Sequence, residues 1–192
     1  MRKLIVCNIV SVDGFYSGPN DDIMVMPFDA TFSDYNAERL RAADTLLLGR
    51  RSFEGFRDYW PSIADDPEQP PVEREISRLD NAIDKVVVSD GLTNADLDPW
   101  TNTTIVRRAD AHDAVAALKR GPGREILVFG SHVLWNDLLA AGLVDEVHLM
   151  IGSAFLGDGV RVFDGPRTGL RLLDARDLDD SQLILARYAA NP

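Results

Sequence analysis

The sequence has a single cysteine, Cys7, so no disulfide can form within the chain. It also has no run of about 18 uninterrupted apolar residues, the length that a membrane-spanning helix needs. Met1-Arg2-Lys3 leads straight into a strand-like segment, whereas a signal peptide would continue into a longer apolar region. We therefore expect a cytoplasmic protein in a reducing compartment, without a membrane partner.

Positive charge is scarce relative to negative charge. The chain has 20 Lys and Arg against 31 Asp and Glu, a formal net charge of −11. Nucleic-acid binding depends on clustered cations that displace counterions from phosphates, so this balance disfavours nucleic acid as a partner. The three histidines are scattered and lack Cys or carboxylate neighbours at ligand spacing, so we predict no metal site.

Short apolar runs alternate with helix-like segments along most of the chain. The runs cover residues 3–12, 45–48, 85–89, 103–106, 125–129 and 144–151. This alternation predicts a mainly parallel sheet with helices on both faces. Two final runs, 170–175 and 183–188, predict an antiparallel hairpin at the sheet edge. The 192 residues fit one domain, so we predict a three-layer α/β/α fold in one domain over 1–192.

Two predicted strands end in a glycine that opens a helix, and both helix starts carry groups that suit an anion. At such strand ends helix N-termini offer free backbone amides to phosphates, and arginines add forked donors. A glycine after a strand is also a common turn, and solvated surface charge is the default for exposed arginines. The candidate cofactor-binding residues are Gly49, Arg50, Arg51, Ser52, Gly130, Ser131 and His132, with Ser89 and Arg107 at neighbouring strand ends.

These residues belong to a wider pattern along the chain. Its parts are Ser11-Val12-Asp13-Gly14, Leu48-Gly49-Arg50-Arg51-Ser52-Phe53-Glu54, Val128-Phe129-Gly130-Ser131, Gly142-Leu143-Val144-Asp145-Glu146-Val147 and Leu156-Gly157-Asp158-Gly159. The pattern resembles the dihydrofolate reductase-like superfamily. Within it the chain is most similar to the RibD C-terminal domain family, the reductase half of a riboflavin-biosynthesis enzyme, and its stand-alone members. The resemblance covers residues 2–188.

The resemblance implies a dihydrofolate reductase-like fold that binds NADPH and transfers hydride to a planar nitrogen heterocycle, a pteridine or a pyrimidine. It places the pyrophosphate of the cofactor on the Gly130 helix and the adenosine side near Gly49 to Ser52 and Ser89. The candidate substrate-binding residues are Asp13, Gly14 and Phe15, in which Asp13 organises the turn. Among the departures from the family pattern, Ser131 replaces the second glycine of a Gly-Gly pair, and Phe15 stands where riboflavin reductases usually have a basic residue. Gly152 also stands where many members have proline.

Reduction of a ring imine also needs a proton donor. The resemblance implies a carboxylate on the helix that follows the first loop. Asp34, fifteen residues before Gly49, is close to the family spacing and is our candidate catalytic residue. The alternative is that Asp34 is an exposed carboxylate near a helix start, where the helix dipole favours negative charge.

Three functions remain open at this point. The first is an NADPH-dependent reductase of a planar heterocycle, and the second is the 5-amino-6-(5-phosphoribosylamino)uracil reductase of riboflavin biosynthesis. The third is a non-catalytic protein that binds a nucleotide or heterocycle on the same fold. We also expect a homodimer, because the apolar hairpin residues Leu172, Leu183 and Leu185 could meet a second copy. Alternatively, these side chains pack inward on the monomer.

Overall fold

The structure is a computed structural model that describes residues 1–190, so residues 191 and 192 of the predicted domain lie outside it. The described chain has ten strands and five α-helices. The strands are β1 (Leu4–Val10), β2 (Phe15–Ser17), β3 (Ala43–Gly49), β4 (Asp84–Val88), β5 (Thr103–Val106), β6 (Glu125–Phe129), β7 (Glu146–Ile151), β8 (Val160–Arg161), β9 (Leu170–Asp177) and β10 (Ile184–Ala190). The helices are α1 (Ala30–Ala42), α2 (Arg50–Ile63), α3 (Pro71–Ala82), α4 (Ala111–Arg120) and α5 (His132–Ala140).

Eight strands form one sheet in the order β5-β4-β3-β6-β1-β7-β10-β9. All strand pairs from β5 to β7 are parallel, whereas β10 pairs antiparallel with both β7 and β9. The predicted parallel sheet with an antiparallel hairpin at its edge is therefore confirmed. That one domain spans residues 1–192 stays a prediction.

Strand β1 is the centre of the core, and all seven of its residues are buried. Ile5, Cys7 and Ile9 face an apolar cluster with α1, α2 and α3, and Leu4 and Val6 face a second cluster with α4 and α5. Alternate residues of a strand point to opposite faces, so one continuous apolar run serves two helical layers. Burial also raises the pKa of the Cys7 thiol to about 12, which makes it an inert core side chain.

A second, two-stranded sheet is formed by segments outside the predicted strands. Its strands, β2 and β8, pair antiparallel. The backbone oxygen of Ser17 lies against Gly159, which has a φ of +135°, so a side chain at position 159 would clash with strand β2. This close approach holds the chain after β1 against the segment before β9.

The leucines that the edge hairpin exposes are not all the ones that were predicted to face outward. Leu183 and Leu185 are buried in the monomer's own core, so the prediction that they meet a second copy is wrong. Leu172 is 55% exposed and remains available. Leu185 of β10 and Leu183, just before it, lie two residues apart and both belong to the apolar cluster formed with α1, α2 and α3.

A chain of buried polar groups links α1 to strands β7 and β10. The hydroxyl of Tyr35 lies 2.8 Å from His148 Nδ1, and His148 Nε2 lies 3.0 Å from a Glu146 carboxylate oxygen. Burial lowers the pKa of His148 to about 4. Burial opposes the charge of Glu146, but hydrogen bonds from Lys3 and His148 outweigh it and lower the Glu146 pKa to about 2. A neutral histidine thus joins a tyrosine to a carboxylate inside the fold.

Among residues 1–190, no helix has the length and apolar character that crossing a membrane requires.

Candidate functional site

The N-termini of α2 and α5 meet at the carboxyl edge of the sheet. Strand β3 ends at Gly49 and runs directly into α2, and its neighbour β6 runs through Gly130 and Ser131 into α5. The two helices cover opposite faces of the sheet, because Phe53 of α2 and Leu134 of α5 belong to different apolar clusters. Because β3 and β6 are parallel neighbours, the helices that follow them begin side by side at the same edge of the sheet.

Two serines join these helix starts. The backbone N–H of Ser131 donates to Ser52 Oγ at 3.0 Å, and the backbone N–H of Gly49 donates to Ser131 Oγ at 2.9 Å. Neither helix has a side-chain cap at its N-terminus. We call Gly49–Ser52 and Gly130–His132, held together by this serine pair, the amide cradle.

The first-turn amides of both helices point away from their own helix and have no acceptor within the described chain. Aligned peptide dipoles place partial positive charge at the same two helix ends. A helix N-terminus of this kind favours an anionic oxygen, and here there are two, side by side. The amide cradle therefore suits a group with several negative oxygens, such as a pyrophosphate.

Backbone geometry explains why glycine precedes serine in the cradle. Gly130 and Ser131 have φ values of +56° and +52°, in the left-handed region. A Cβ on Gly130 would lie 2.9 Å from the Tyr16 hydroxyl oxygen, so a side chain there would clash. This conformation costs about 1–2 kcal/mol at Ser131, and the hydrogen bond that Ser131 Oγ accepts from the Gly49 amide offsets part of that cost.

An aromatic pair that the sequence did not indicate lies over the cradle. The rings of Tyr16 and His132 stack with centroids 5.9 Å apart and planes at 24°. The Tyr16 hydroxyl and Ser52 Oγ both lie against Gly130. Its position depends on strand β2, which was not predicted, so the sequence carried no signal that would separate Tyr16 from its neighbour Phe15.

The two arginines at the start of α2 lie at the surface of the cradle. Arg50 forms an ion pair with Glu54 at 2.8 Å, and Arg51 forms one with Asp21 at 2.7 Å. The Arg51 side chain is 91% exposed, so the pair with Asp21 restrains it only weakly. Both guanidinium groups can exchange these carboxylates for a phosphate.

Ser89 and Arg107 shape the turn after β4 and do not enter the cradle. Ser89 Oγ accepts hydrogen bonds from the amides of Gly91 and Leu92, at 3.2 Å and 3.1 Å. Arg107 donates to the backbone oxygens of Ser89 and Leu92, at 2.9 Å and 3.1 Å. Arg50 connects this turn to the cradle, because its Nη1 lies 3.1 Å from the position that a Cβ on Gly91 would occupy.

Asp13, Gly14 and Phe15 fasten the chain after β1 to the loop before β8. Asp13 accepts hydrogen bonds from Ser11 Oγ at 2.7 Å and from the Gly157 amide at 2.8 Å. The Ser11 hydrogen bond is the main reason that the Asp13 pKa falls to about 2. Phe15 is buried under the Arg161 guanidinium, 4.5 Å from its ring centre. A surface depression of about 650 Å³ opens beside this segment, lined by residues 18–21 and 158–160.

Asp34 is not brought to the cradle. It is an exposed residue of α1, on the side that carries Glu38 and Arg41. The carboxylate that caps the N-terminus of α1 belongs to Asp29, which accepts a hydrogen bond from the Phe32 amide at 2.8 Å. The structure thus joins Gly49, Ser52, Gly130, Ser131 and His132 directly, leaves Arg50, Arg51, Ser89 and Arg107 around them, and separates Asp34.

Related proteins have the same fold. The structure is similar to that of a pyrimidine reductase-like protein from Corynebacterium diphtheriae NCTC, with a TM-score of 0.62 and 17% identity over 100% of this chain and 92% of the other. It is also similar to RibD of Acinetobacter baumannii, form 1, with a TM-score of 0.67 and 15% identity over 100% of this chain and 59% of the other. These identities support a common fold only.

Sequence similarity identifies the family more specifically than the shared fold does. The chain is 31% identical over 179 residues to protein YyaP of Bacillus subtilis (strain 168), a match that covers 91% of this chain and 88% of that protein. Residues 2–183 match the family model of the RibD C-terminal domain. The chain therefore belongs to the RibD C-terminal domain family.

Proposed function

We propose that the protein is an NADPH-dependent reductase that transfers hydride to a planar nitrogen heterocycle of the pteridine or pyrimidine type. The amide cradle at the carboxyl edge of the sheet is the observation that carries this proposal. Membership of the RibD C-terminal domain family supports an oxidoreductase, and it does not favour a binding protein without turnover.

The residues of the cradle fit the phosphates of NADPH. Gly130 adopts the left-handed conformation that leads the chain into α5, and the first amides of α2 and α5 would hold the pyrophosphate oxygens. Arg50 and Arg51 would hold the 2′-phosphate, with the Ser89 turn supporting Arg50. When bound, the cofactor supplies the hydride. The chain supplies orientation and charge compensation.

The heterocycle would bind beside Asp13, Gly14 and Phe15. The low pKa of Asp13 keeps it ionised at neutral pH, so it orients this segment and does not deliver protons. Asp34 stays a prediction as the proton donor. If it donates, Asp34→Asn lowers the reduction rate by about 10²- to 10⁴-fold without changing NADPH affinity, whereas Glu38→Gln, on the same helix, changes neither.

The riboflavin-pathway reaction is the second candidate. A structural neighbour from Thermotoga maritima, 11% identical, is described as a diaminohydroxyphosphoribosylaminopyrimidine deaminase and 5-amino-6-(5-phosphoribosylamino)uracil reductase, and this chain covers 56% of it. Phe15 sits where such reductases usually carry a basic residue, and it is buried. We therefore favour a heterocycle without a phosphoribosyl group.

Titration with NADPH and with NADH, followed by nicotinamide fluorescence, tests the reductase proposal. We expect saturable NADPH binding well below millimolar concentrations. Absence of such binding would exclude both reductase candidates. A screen of pteridines and pyrimidines, monitored by NADPH absorbance, then identifies the substrate.

We also propose a cytoplasmic homodimer. The described edge strand β9 is almost entirely exposed, and its Leu170 and Leu172 are 40% and 55% exposed. Ile184 on the neighbouring strand is 51% exposed. An unpaired apolar edge favours pairing with a second copy.

A further inference from the structure

We propose that Tyr16 binds the cofactor: its hydroxyl donates a hydrogen bond to a pyrophosphate oxygen of NADPH, and the His132 ring holds it in position. The inference rests on the proposed function and adds to it a residue outside the glycine-led helix starts.

The location of Tyr16 is the first support. Strand β2 carries Tyr16 over the cradle, where its hydroxyl oxygen lies 2.9 Å from the position that a Cβ on Gly130 would occupy. Ser52 Oγ lies 3.3 Å from the same point. The phenol oxygen therefore fills the space beside the Gly130 backbone, which leads into α5.

The unused donor of Tyr16 is the second support. Within residues 1–190 the Tyr16 hydroxyl has no hydrogen-bond partner, although Ser52 and Ser131 next to it are both bonded. Tyr16 is half-buried and its hydroxyl reaches solvent, so this donor is available to a ligand. Burial, together with the charge of Asp21, raises the Tyr16 pKa, so the hydroxyl keeps its proton at neutral pH. A protonated phenol donates to an anionic oxygen.

The stacking with His132 is the third support. His132 is the first residue of α5, so its backbone amide and its ring both belong to the cradle. With the rings 5.9 Å apart and nearly parallel, the phenol is restrained before a ligand arrives. A donor that is already oriented loses little conformational entropy on binding.

The test uses Tyr16→Phe, which removes the hydroxyl and keeps the ring and its stacking. We expect NADPH to bind about ten- to hundredfold more weakly, as measured by nicotinamide fluorescence. We expect the same factor for 2′-phospho-ADP-ribose, measured by calorimetry, because this probe has the pyrophosphate and lacks nicotinamide. The matched control is Tyr59→Phe, an exposed tyrosine of α2, which leaves both affinities within twofold.

The outcomes separate this inference from the proposed function. If the unmodified protein binds neither probe, the proposed function fails. If Tyr16→Phe binds both probes as the unmodified protein does, Tyr16 is no ligand and the inference is overturned while the function stands. A loss for NADPH alone would place the hydroxyl on the nicotinamide side and overturn the pyrophosphate assignment.

His132→Ala provides a second variant. It removes the stacked ring, and we expect a several-fold loss of affinity for both probes. In the Tyr16→Phe background the same change costs less, because the ring then positions no hydroxyl. Independent, multiplicative losses would contradict the positioning role of His132. Thermal melting of each variant verifies that it is folded.

Discussion

Ser131 and Gly49 are hydrogen-bonded across the gap between two helix starts: Ser131 Oγ accepts the Gly49 amide at 2.9 Å while Ser131 itself lies at a φ of +52°. The contact connects the end of β3 to the start of α5. A glycine at position 131 would adopt the backbone conformation more easily but would lose the bond.

Substitutions at Ser131 separate these two effects. Ser131→Ala keeps the left-handed backbone and leaves the Gly49 amide without an acceptor, so we expect a loss of about 1–3 kcal/mol in unfolding free energy. Ser131→Gly also loses the acceptor but relieves about 1–2 kcal/mol of backbone strain, so it is the more stable of the two. Urea denaturation measures both values. An alanine variant as stable as the unmodified protein would contradict the role of this bond.

Arg50→Ala and Arg51→Ala test the 2′-phosphate assignment. We expect each to weaken NADPH about ten- to hundredfold and NADH far less, because only NADPH carries the phosphate that these guanidinium groups would bind. Fluorescence titration with both cofactors gives the ratio. Arg120→Ala, at the exposed end of α4, is the control. Equal losses for both cofactors would move the arginines to the pyrophosphate or out of the site.

The buried His148 predicts a particular loss of stability in mild acid. Its pKa is about 4 in the folded protein against 6.5 ordinarily, so between these values the unfolded chain takes up a proton that the folded chain does not. Stability therefore falls as the pH drops from 6.5 to 4, by up to about 1.4 kcal/mol per pH unit. Glu146 adds its own loss only below its ordinary pKa of 4.5.

Denaturant unfolding at pH 7.5, 6.5, 5.5 and 5 measures this slope. His148→Gln keeps the hydrogen-bonding capacity toward Tyr35 and Glu146, and we expect it to flatten the slope above pH 5. His112→Gln, at an exposed histidine outside this buried chain, is the comparison variant. An equally steep slope in the His148 variant would assign the acid sensitivity to other groups.

Leu172→Asp tests the homodimer. We expect light scattering at micromolar concentration to give about twice the chain mass of 21.2 kDa for the unmodified protein and the single-chain mass for the variant. Met24→Asp replaces an apolar residue that is 76% exposed outside the hairpin, and it should remain dimeric. A single-chain mass for the unmodified protein would overturn the dimer itself.

Strand positions in the parallel sheet were largely predictable because these strands are short apolar runs between helix-like segments. The runs at 103–106 and 125–129 coincide with β5 and β6. The face of the hairpin that points to solvent was not predictable. Alternation groups Leu183 with Leu185, but it does not say whether the helices cover that side of the hairpin or the other. The role of Tyr16 was not predictable for a similar reason, since Tyr16 contacts Gly130 only because a small sheet forms between segments that are distant in sequence.

The central place of β1 also sets an order of events during synthesis. Of the described strands it is synthesised first, yet both of its partners, β6 and β7, begin only at Glu125 and Glu146. Strands β3, β4 and β5 can pair with one another as they emerge. Strand β1, whose residues are all buried in the fold, therefore lacks both of its partners until β6 has been translated, and during that interval its apolar side chains are open to aggregation or to binding by a chaperone.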